Sequence, residues 1–212
     1  MAQQRNNVVI AITREFGSLG RPIARRVAEK LGLKFVDREI LEEAAARIGY
    51  HIDELEKIDN HRIKGLQRMK YPLGLGSRDT QDELYELQKS LILEYATYEN
   101  CVIVGRCANY ILKDRKNVLK VHIYAPYERR LQMSIEDLGL SEKEAKQMIN
   151  RVDSARSDYY LYHTGESFNS IEYQDVMLNS AIMSFDENVD IICDIARKRF
   201  GFTGKVEKTE TE

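Results

Sequence analysis

Residues 8–32, VVIAITREFGSLGRPIARRVAEKLG, decide how this chain is read. Five apolar residues, Val8, Val9, Ile10, Ala11 and Ile12, run into a glycine-bearing turn and then into a helix whose first residues include Arg21. A short, wholly apolar strand suits the buried centre of a parallel sheet. The helix after the glycines presents unpaired backbone N–H groups and the positive end of its dipole to whatever lies beyond the turn. A nucleotide phosphate is the expected occupant.

The turn itself reads Gly17-Ser18-Leu19-Gly20-Arg21-Pro22. In the phosphate-loop pattern G-x-x-x-x-G-K-[ST], the lysine reaches the outer phosphates and the hydroxyl binds magnesium. Arg21 can take the lysine's part, because a guanidinium is always charged and grips two oxygens at once. Pro22 cannot take the hydroxyl's part, although its fixed φ suits the first turn of a helix. A strand-to-helix turn that needs glycine for geometry alone is the competing reading of this window.

Beyond this window the chain reads as one compact α/β unit. Its 212 residues, 43% hydrophobic and 31% charged, are ordinary for a soluble globular protein with a substantial core. A net charge of −2 provides no basic field for a nucleic-acid backbone, so no nucleic-acid partner is expected. The apolar runs near Val8, Cys101 and Val118 are strand-length, which excludes a membrane span, and the opening MAQQRNN has no apolar signal segment. A cytoplasmic protein follows as the expectation. The cysteines, Cys101, Cys107 and Cys193, lack metal-ligand spacing. Cys101 and Cys193 read as core, and Cys107, near the suspected site, as a small filler rather than a nucleophile.

Apolar strands alternate with helical stripes, the pattern of a parallel sheet with crossover helices. A helix over 22–31 buries Ile23, Val27 and Leu31 and stops at Gly32. Residues 34–36 form a second strand running into Asp37, which can cap a helix over 38–48. A charged helical stretch, 51–64, precedes a Pro- and Gly-rich loop, 71–77. Thr80-Gln81-Asp82-Glu83 resembles a capping box for a helix striped with Leu84, Leu87, Leu91 and Tyr95. The third strand, 101–104, ends in Gly105-Arg106. This places a cation at a strand's carboxyl end, where open parallel sheets bind ligands, so Arg106 and the phosphate turn are expected to share one crevice. The fourth strand, 118–124, leads into a helix from Pro126, and Ser141-Glu142-Lys143-Glu144 opens another with a capping box. Residues 173–178 read as the last strand, 184–200 as the closing helix, and 201–212 as a flexible tail.

Arg151, Asp153 and Arg156 lie on the helix that Ser141 opens. Taken alone they fit a solvated face of alternating charge. Phosphoryl transfer gives them another use, since its transition state spreads negative charge that a mobile cationic segment can stabilise. The tyrosines and histidine in YYLYHTG, residues 159–165, read mainly as packing.

Four segments together resemble the cytidylate kinase-like family, a branch of the P-loop nucleoside monophosphate kinases. They are TREFGSLGR at 13–21, FVDREI at 35–40, VIVGRCAN at 102–109, and RVDSAR at 151–156 with the following Tyr159-Tyr160 and Tyr162-His163-Thr164-Gly165. Their order and spacing are those of the family over nearly the whole chain. The resemblance implies a parallel-sheet P-loop fold with a helical lid over 126–172 and an acceptor-binding helical portion over 38–95, all in one domain. It implies ATP as donor, with Gly17, Ser18, Leu19, Gly20, Arg21 and Pro22 around its phosphates. Asp37, Arg38, Gly105 and Arg106 would meet the acceptor. Arg21, Arg151 and Arg156 would act on the transferring phosphoryl group, with Asp153 orienting the lid arginines. Mg²⁺ would accompany ATP, Glu15, Ser18 and Asp37 being candidate ligands. The family commonly lacks the lysine. A glycine is usual where Leu19 and Cys107 stand, and a polar residue where Pro22 stands, so Leu19 narrows the loop if its φ is positive. CMP or dCMP is the expected acceptor. A kinase of another small acceptor, a nucleotide-binding regulator without turnover, and an interaction protein using the charged helices are the other readings.

Overall fold

The computed structural model describes residues 7–37, 39–40, 43–44 and 78–201. The expected helical stretch 51–64, the loop 71–77, Arg38, most of the expected helix 38–48 and the tail beyond Gly201 lie outside the described residues. Residues 39–40 and 43–44 of that helix are helical, with Ile40 and Ala44 fully buried.

Strands β1 (Val9–Arg14), β2 (Lys34–Val36), β3 (Cys101–Val104), β4 (Val118–Tyr124) and β5 (Val176–Asn179) form one sheet in the order β2-β3-β1-β4-β5. Every pairing is parallel, with Ile12 of β1 opposite Val104 on one side and Val121 on the other. Alternation along these strands builds two apolar layers. Ile10, Ile12, Val104, Leu119, Val121 and Ile123 pack against helices α1 (Gly20–Leu31) and α6 (Phe185–Phe200). Val9, Ala11, Cys101, Ile103 and Val118 face α2 (Arg78–Tyr98) and the short α3 (Ala108–Ile111). A third cluster joins Phe16 to Leu131 of α4 (Tyr127–Leu138) and to Ala145, Met148, Ile149 and Val152 of α5 (Glu142–Thr164). The chain leaves β1 towards β2 and β3 and later crosses to β4, so the strand order reverses about β1. The crevice outside the carboxyl ends of β1 and β3 is the ligand position this topology offers.

Local differences from expectation have local causes. Helix α1 begins at Gly20, so Pro22 is its third residue, still in the first turn where a missing N–H costs no helical bond. Thr80 is not a cap: α2 already runs from Arg78, and a capping residue must have non-helical backbone. Strand β5 starts at Val176 rather than at 173, because residues 171–174 close a turn, with the Gln174 N–H on the Ile171 carbonyl at 3.2 Å, and the Asp175 carboxylate then takes the Lys120 N–H at 2.8 Å. The capping box at Ser141 and Glu144 forms as expected, and Ser184 with Glu187 repeats it at the start of α6. Helix α5 is continuous over 23 residues, a rod of about 35 Å. Among the described residues no helix is long and apolar enough to cross a membrane.

The three cysteines are buried and free. Burial pushes the thiols of Cys101 and Cys107 up to about 12 and that of Cys193 up to about 11, so none is a ready nucleophile. His122 of β4 is also buried, with Nδ1 2.9 Å from Thr13 Oγ1 of β1. Burial lowers its pKa to about 4, with the nearby Asp153 carboxylate opposing the shift. The fold therefore holds the neutral ring, whereas an unfolded histidine takes up a proton near its ordinary value of about 6.5. Stability is complete above that pH and falls as pH drops from about 6.5 towards 4, by about 3 kcal/mol in all. Denaturant titrations on either side of this window check the expectation: His122→Gln should lose about 3 kcal/mol less than the parent on acidification.

Candidate active site

Backbone conformation shapes the phosphate turn. Gly17 and Leu19 have φ of 76° and 58°, and Leu19 occupies the N-cap position of α1 without a side-chain cap. The opening N–H groups of α1 are thus left without a capping side chain, and no acidic residue lies in the first turn. A leucine in the left-handed region is strained by about 1–2 kcal/mol relative to ordinary backbone. The condition under which Leu19 narrows the loop is met.

Ser18 is fully buried and its hydroxyl points inward, 3.0 Å from the carbonyl oxygens of both Glu15 and Ile123. Its own carbonyl accepts a hydrogen bond from Ser180 Oγ at 2.8 Å. Ser18 therefore braces the loop against the ends of β4 and β5. What it offers an anion is backbone.

Arg21 is half exposed, and its Nε donates to Asp37 Oδ2 at 2.5 Å. Asp37 follows β2 and also lies 3.9 Å from Arg14 Nη2. The phosphate helix and the position expected to meet the acceptor are thus joined by an ion pair. After β3 the chain turns through Gly105, Arg106 and Cys107, with φ of 77°, 55° and 57°. This left-handed turn sets Arg106 in the same crevice, close enough to bear electrostatically on Arg14 and Arg156. Cys107, like Leu19, adopts the backbone that a glycine takes more readily.

Helix α5 contributes Asp153 and Arg156 from one face. Arg156 donates from Nη1 to the Arg14 carbonyl at 3.1 Å and lies 3.9 Å from Asp153 Oδ1. Burial draws the Arg156 pKa down to about 10, the Asp153 carboxylate opposing the shift. Asp153 accepts the Phe16 N–H at 2.8 Å and pairs with Arg130 of α4. Arg151 lies elsewhere: it is exposed, with Nη2 2.9 Å from Met148 Sδ. Five residues along a helix are about 140° apart, so Arg151 and Arg156 do not share a face. Asp153 accordingly orients Arg156 and Arg130, not Arg151.

Arg130 escapes sequence reading because helix 127–138 looks like an ordinary charged helix. It is buried, donating to the carbonyls of Ala125 at 3.0 Å and Phe16 at 3.2 Å, with Glu15 Oε2 3.3 Å from its Nε. Burial raises the Glu15 pKa, while Arg130 and the Ala125 N–H oppose the rise.

The aromatic run packs as expected. Tyr160 is buried and accepts from Asn109 Nδ2 at 3.0 Å, while His163 stacks on Tyr85 with centroids 4.0 Å apart. Tyr159 Oη donates to Gln88 Oε1 at 3.4 Å. These contacts fasten the end of α5 to α2 and α3.

An uncapped helix terminus beside several guanidinium groups fits the phosphates of ATP. The donor set does not fit a protein-held magnesium. Ser18 Oγ is spent on carbonyls, Glu15 Oε2 on the Ala125 N–H, and Asp37 on two arginines. Among the described residues no cluster of three His, Cys, Asp or Glu could hold a metal ion.

Comparison with known proteins matches the chain to a family. The pattern of the cytidylate kinase-like family fits residues 9–182. A cytidylate kinase from Pyrobaculum aerophilum is 25% identical over 188 residues, covering 88% of this chain and 91% of that protein. An uncharacterized protein from Eubacterium ventriosum shares the fold with a TM-score of 0.68 at 24% identity, over 90% of this chain and 98% of its own. A shikimate kinase from Bacteroides thetaiotaomicron shares it with a TM-score of 0.51 at 15% identity, over 89% and 97% respectively. The family pattern runs from the first core strand past the last, through the phosphate turn, the Arg106 turn and the Asp153–Arg156 face, and the chain belongs to the cytidylate kinase-like family.

Proposed function

We propose that this chain is an ATP-dependent phosphotransferase whose acceptor is a nucleoside monophosphate, CMP or dCMP first. The observation that carries the reading is the convergence of two turns on one crevice. The uncapped turn before α1 supplies a donor-phosphate seat, and the Arg106 turn after β3 supplies an acceptor-phosphate seat, with Arg156 between them and α5. Family membership and the cytidylate kinase relative support the same reading.

In this mechanism an acceptor phosphate oxygen attacks the γ-phosphorus of ATP, the bond to the β-phosphate oxygen breaks, and ADP and a nucleoside diphosphate leave. The acceptor phosphate is largely ionised at neutral pH and needs no general base. ATP brings Mg²⁺ on its own phosphate oxygens, which neutralises part of their charge when bound. The chain's own work is positioning and cationic stabilisation. Gly17, Leu19, Gly20, Arg21 and Pro22 surround the donor phosphates, Asp37, Gly105 and Arg106 meet the acceptor, and Arg156 stabilises the group in transit. In this proposal residues 38–95 would serve the acceptor and residues 126–172 would serve as the lid.

ADP release from Mg-ATP, measured across CMP, dCMP, UMP, AMP and GMP with a no-acceptor control, tests this. Turnover that depends on one pyrimidine monophosphate is the expected result. ATP binding without turnover would leave a regulator or a kinase of another acceptor, and no ATP binding would overturn the phosphate-turn assignment. Arg21→Ala is expected to weaken ATP binding about tenfold or more. Its half-exposed ion pair contributes only about 0–1 kcal/mol to the fold, so calorimetry should show little change.

A further inference from the structure

The last residue of β1, Arg14, lies directly before the phosphate turn and carries a side chain that the fold makes room for twice. A methyl group added at Gly20 would fall 2.4 Å from Arg14 Cβ and 2.9 Å from its Cγ. One added at Gly105 would fall 2.3 Å from Arg14 Nη1. Gly20 is an ordinary helical residue whose backbone has no need of glycine; the stem of Arg14 does. The side chain therefore occupies a slot walled by one glycine from each phosphate-seating turn.

What this slot holds is poorly neutralised. Arg14 is mostly buried, its Nε has no hydrogen-bond partner among the described residues, and the Asp37 carboxylate stands off at 3.9 Å while committed to Arg21 at 2.5 Å. Arg156, Arg106 and Arg21 all bear on it with like charge. Burial and Arg156 push the Arg14 pKa well down from its ordinary range. Arginine does not shed its proton in proteins, so the charge stays and the cost stays with it. A cation held at such a cost, with its Nε unpartnered among the described residues, is a seat for an anion.

We propose that Arg14 is a phosphate-contact residue, gripping the terminal phosphoryl group of a polyphosphate ligand between the phosphate turn and the Arg106 turn. Arg21, drawn onto Asp37, then serves the rim of the site, and Arg14 is the cation at its centre. The inference deepens the phosphotransferase reading and rests on its assignment of the two turns to phosphate.

Calorimetric titration with inorganic tripolyphosphate tests it, since this probe carries neither base nor sugar. Arg14→Met should weaken tripolyphosphate binding by about 10- to 100-fold, the effect of losing charge-assisted hydrogen bonds. The same variant, freed of an unneutralised charge, should have a thermal midpoint equal to or above that of the parent in the absence of anion. Unchanged affinity overturns the proposal, whatever the midpoint does. If Arg14→Met fails to fold, Arg14→Lys decides in its place: it keeps the charge and stem but not the two-pronged grip, and should lose affinity, whereas parental affinity overturns the proposal. Failure of the acceptor reading looks different, as absence of turnover with every monophosphate while tripolyphosphate binding still depends on Arg14.

Discussion

Replacing Arg130 with methionine is expected to destabilise the protein by about 3–5 kcal/mol, the usual cost of breaking a buried ion pair by removing one partner. Methionine keeps most of the stem but none of the donors. The Ala125 and Phe16 carbonyls lose their partner, and the Glu15 and Asp153 carboxylates lose the guanidinium between them. Glu15 already sits where burial disfavours its charge, so its loss of Arg130 is felt in full. For a chain of this size each kcal/mol moves the thermal midpoint by about 2–4 °C, so a fall of about 6–20 °C should appear by calorimetry. A double-mutant cycle with Asp153→Asn should show strong coupling, the pair together costing less than the two changes added. A shift within about 1 kcal/mol would instead mean that these charges behave as a solvent-screened surface pair.

Arg156→Lys should lower turnover with the preferred acceptor by about 10³-fold and leave KM for ATP nearly unchanged. Arginines that stabilise the group in transit contribute about 10³–10⁵ in phosphoryl transfer, and they act on the transition state rather than on ground-state binding. Lysine keeps the charge but cannot donate to the Arg14 carbonyl and face a phosphoryl oxygen from one planar group. The measurement is kcat and KM by coupled ADP assay, with the thermal midpoint alongside. A loss confined to KM would place Arg156 in ground-state binding, and equal activity would remove it from the site. Arg151, exposed on the other side of α5, offers the contrast within the same helix.

The sheet was legible because its strands are short unbroken apolar runs, and such runs have few other uses. β3 and β4 are observed over the residues the pattern marks out, 101–104 and 118–124. Gly32 and Ser141 were legible for the same kind of reason, each being a local device that acts through its own backbone. Thr80 shows the limit of such reasoning, since a capping motif says nothing once the helix has started upstream. The geometry of the candidate site was legible where it is built from turns and opaque where it depends on the direction of side chains. Ser18 looks like a metal ligand in sequence, yet its neighbours Glu15 and Ile123 take its hydroxyl. Arg14 and Arg130 carried no signal, because what distinguishes them is approach across more than a hundred residues: Arg14 to Arg156 and Arg130 to Phe16. Arg151 and Arg156 look equivalent in a charge pattern and become different only through helical phase.

The buried cysteines equip the protein with its own gauges of opening. A thiol held up near 11 or 12 and sealed from solvent meets an alkylating reagent only when the surrounding element lets go. Cys101 reports on the sheet, Cys193 on the closing helix, and Cys107 on the turn that carries Arg106. Because the three sites belong to different elements, labelling rates separate a whole-molecule unfolding from a local loosening, without introducing a single foreign residue. A nucleotide that quiets Cys107 alone would mark the Arg106 turn as the part it tightens.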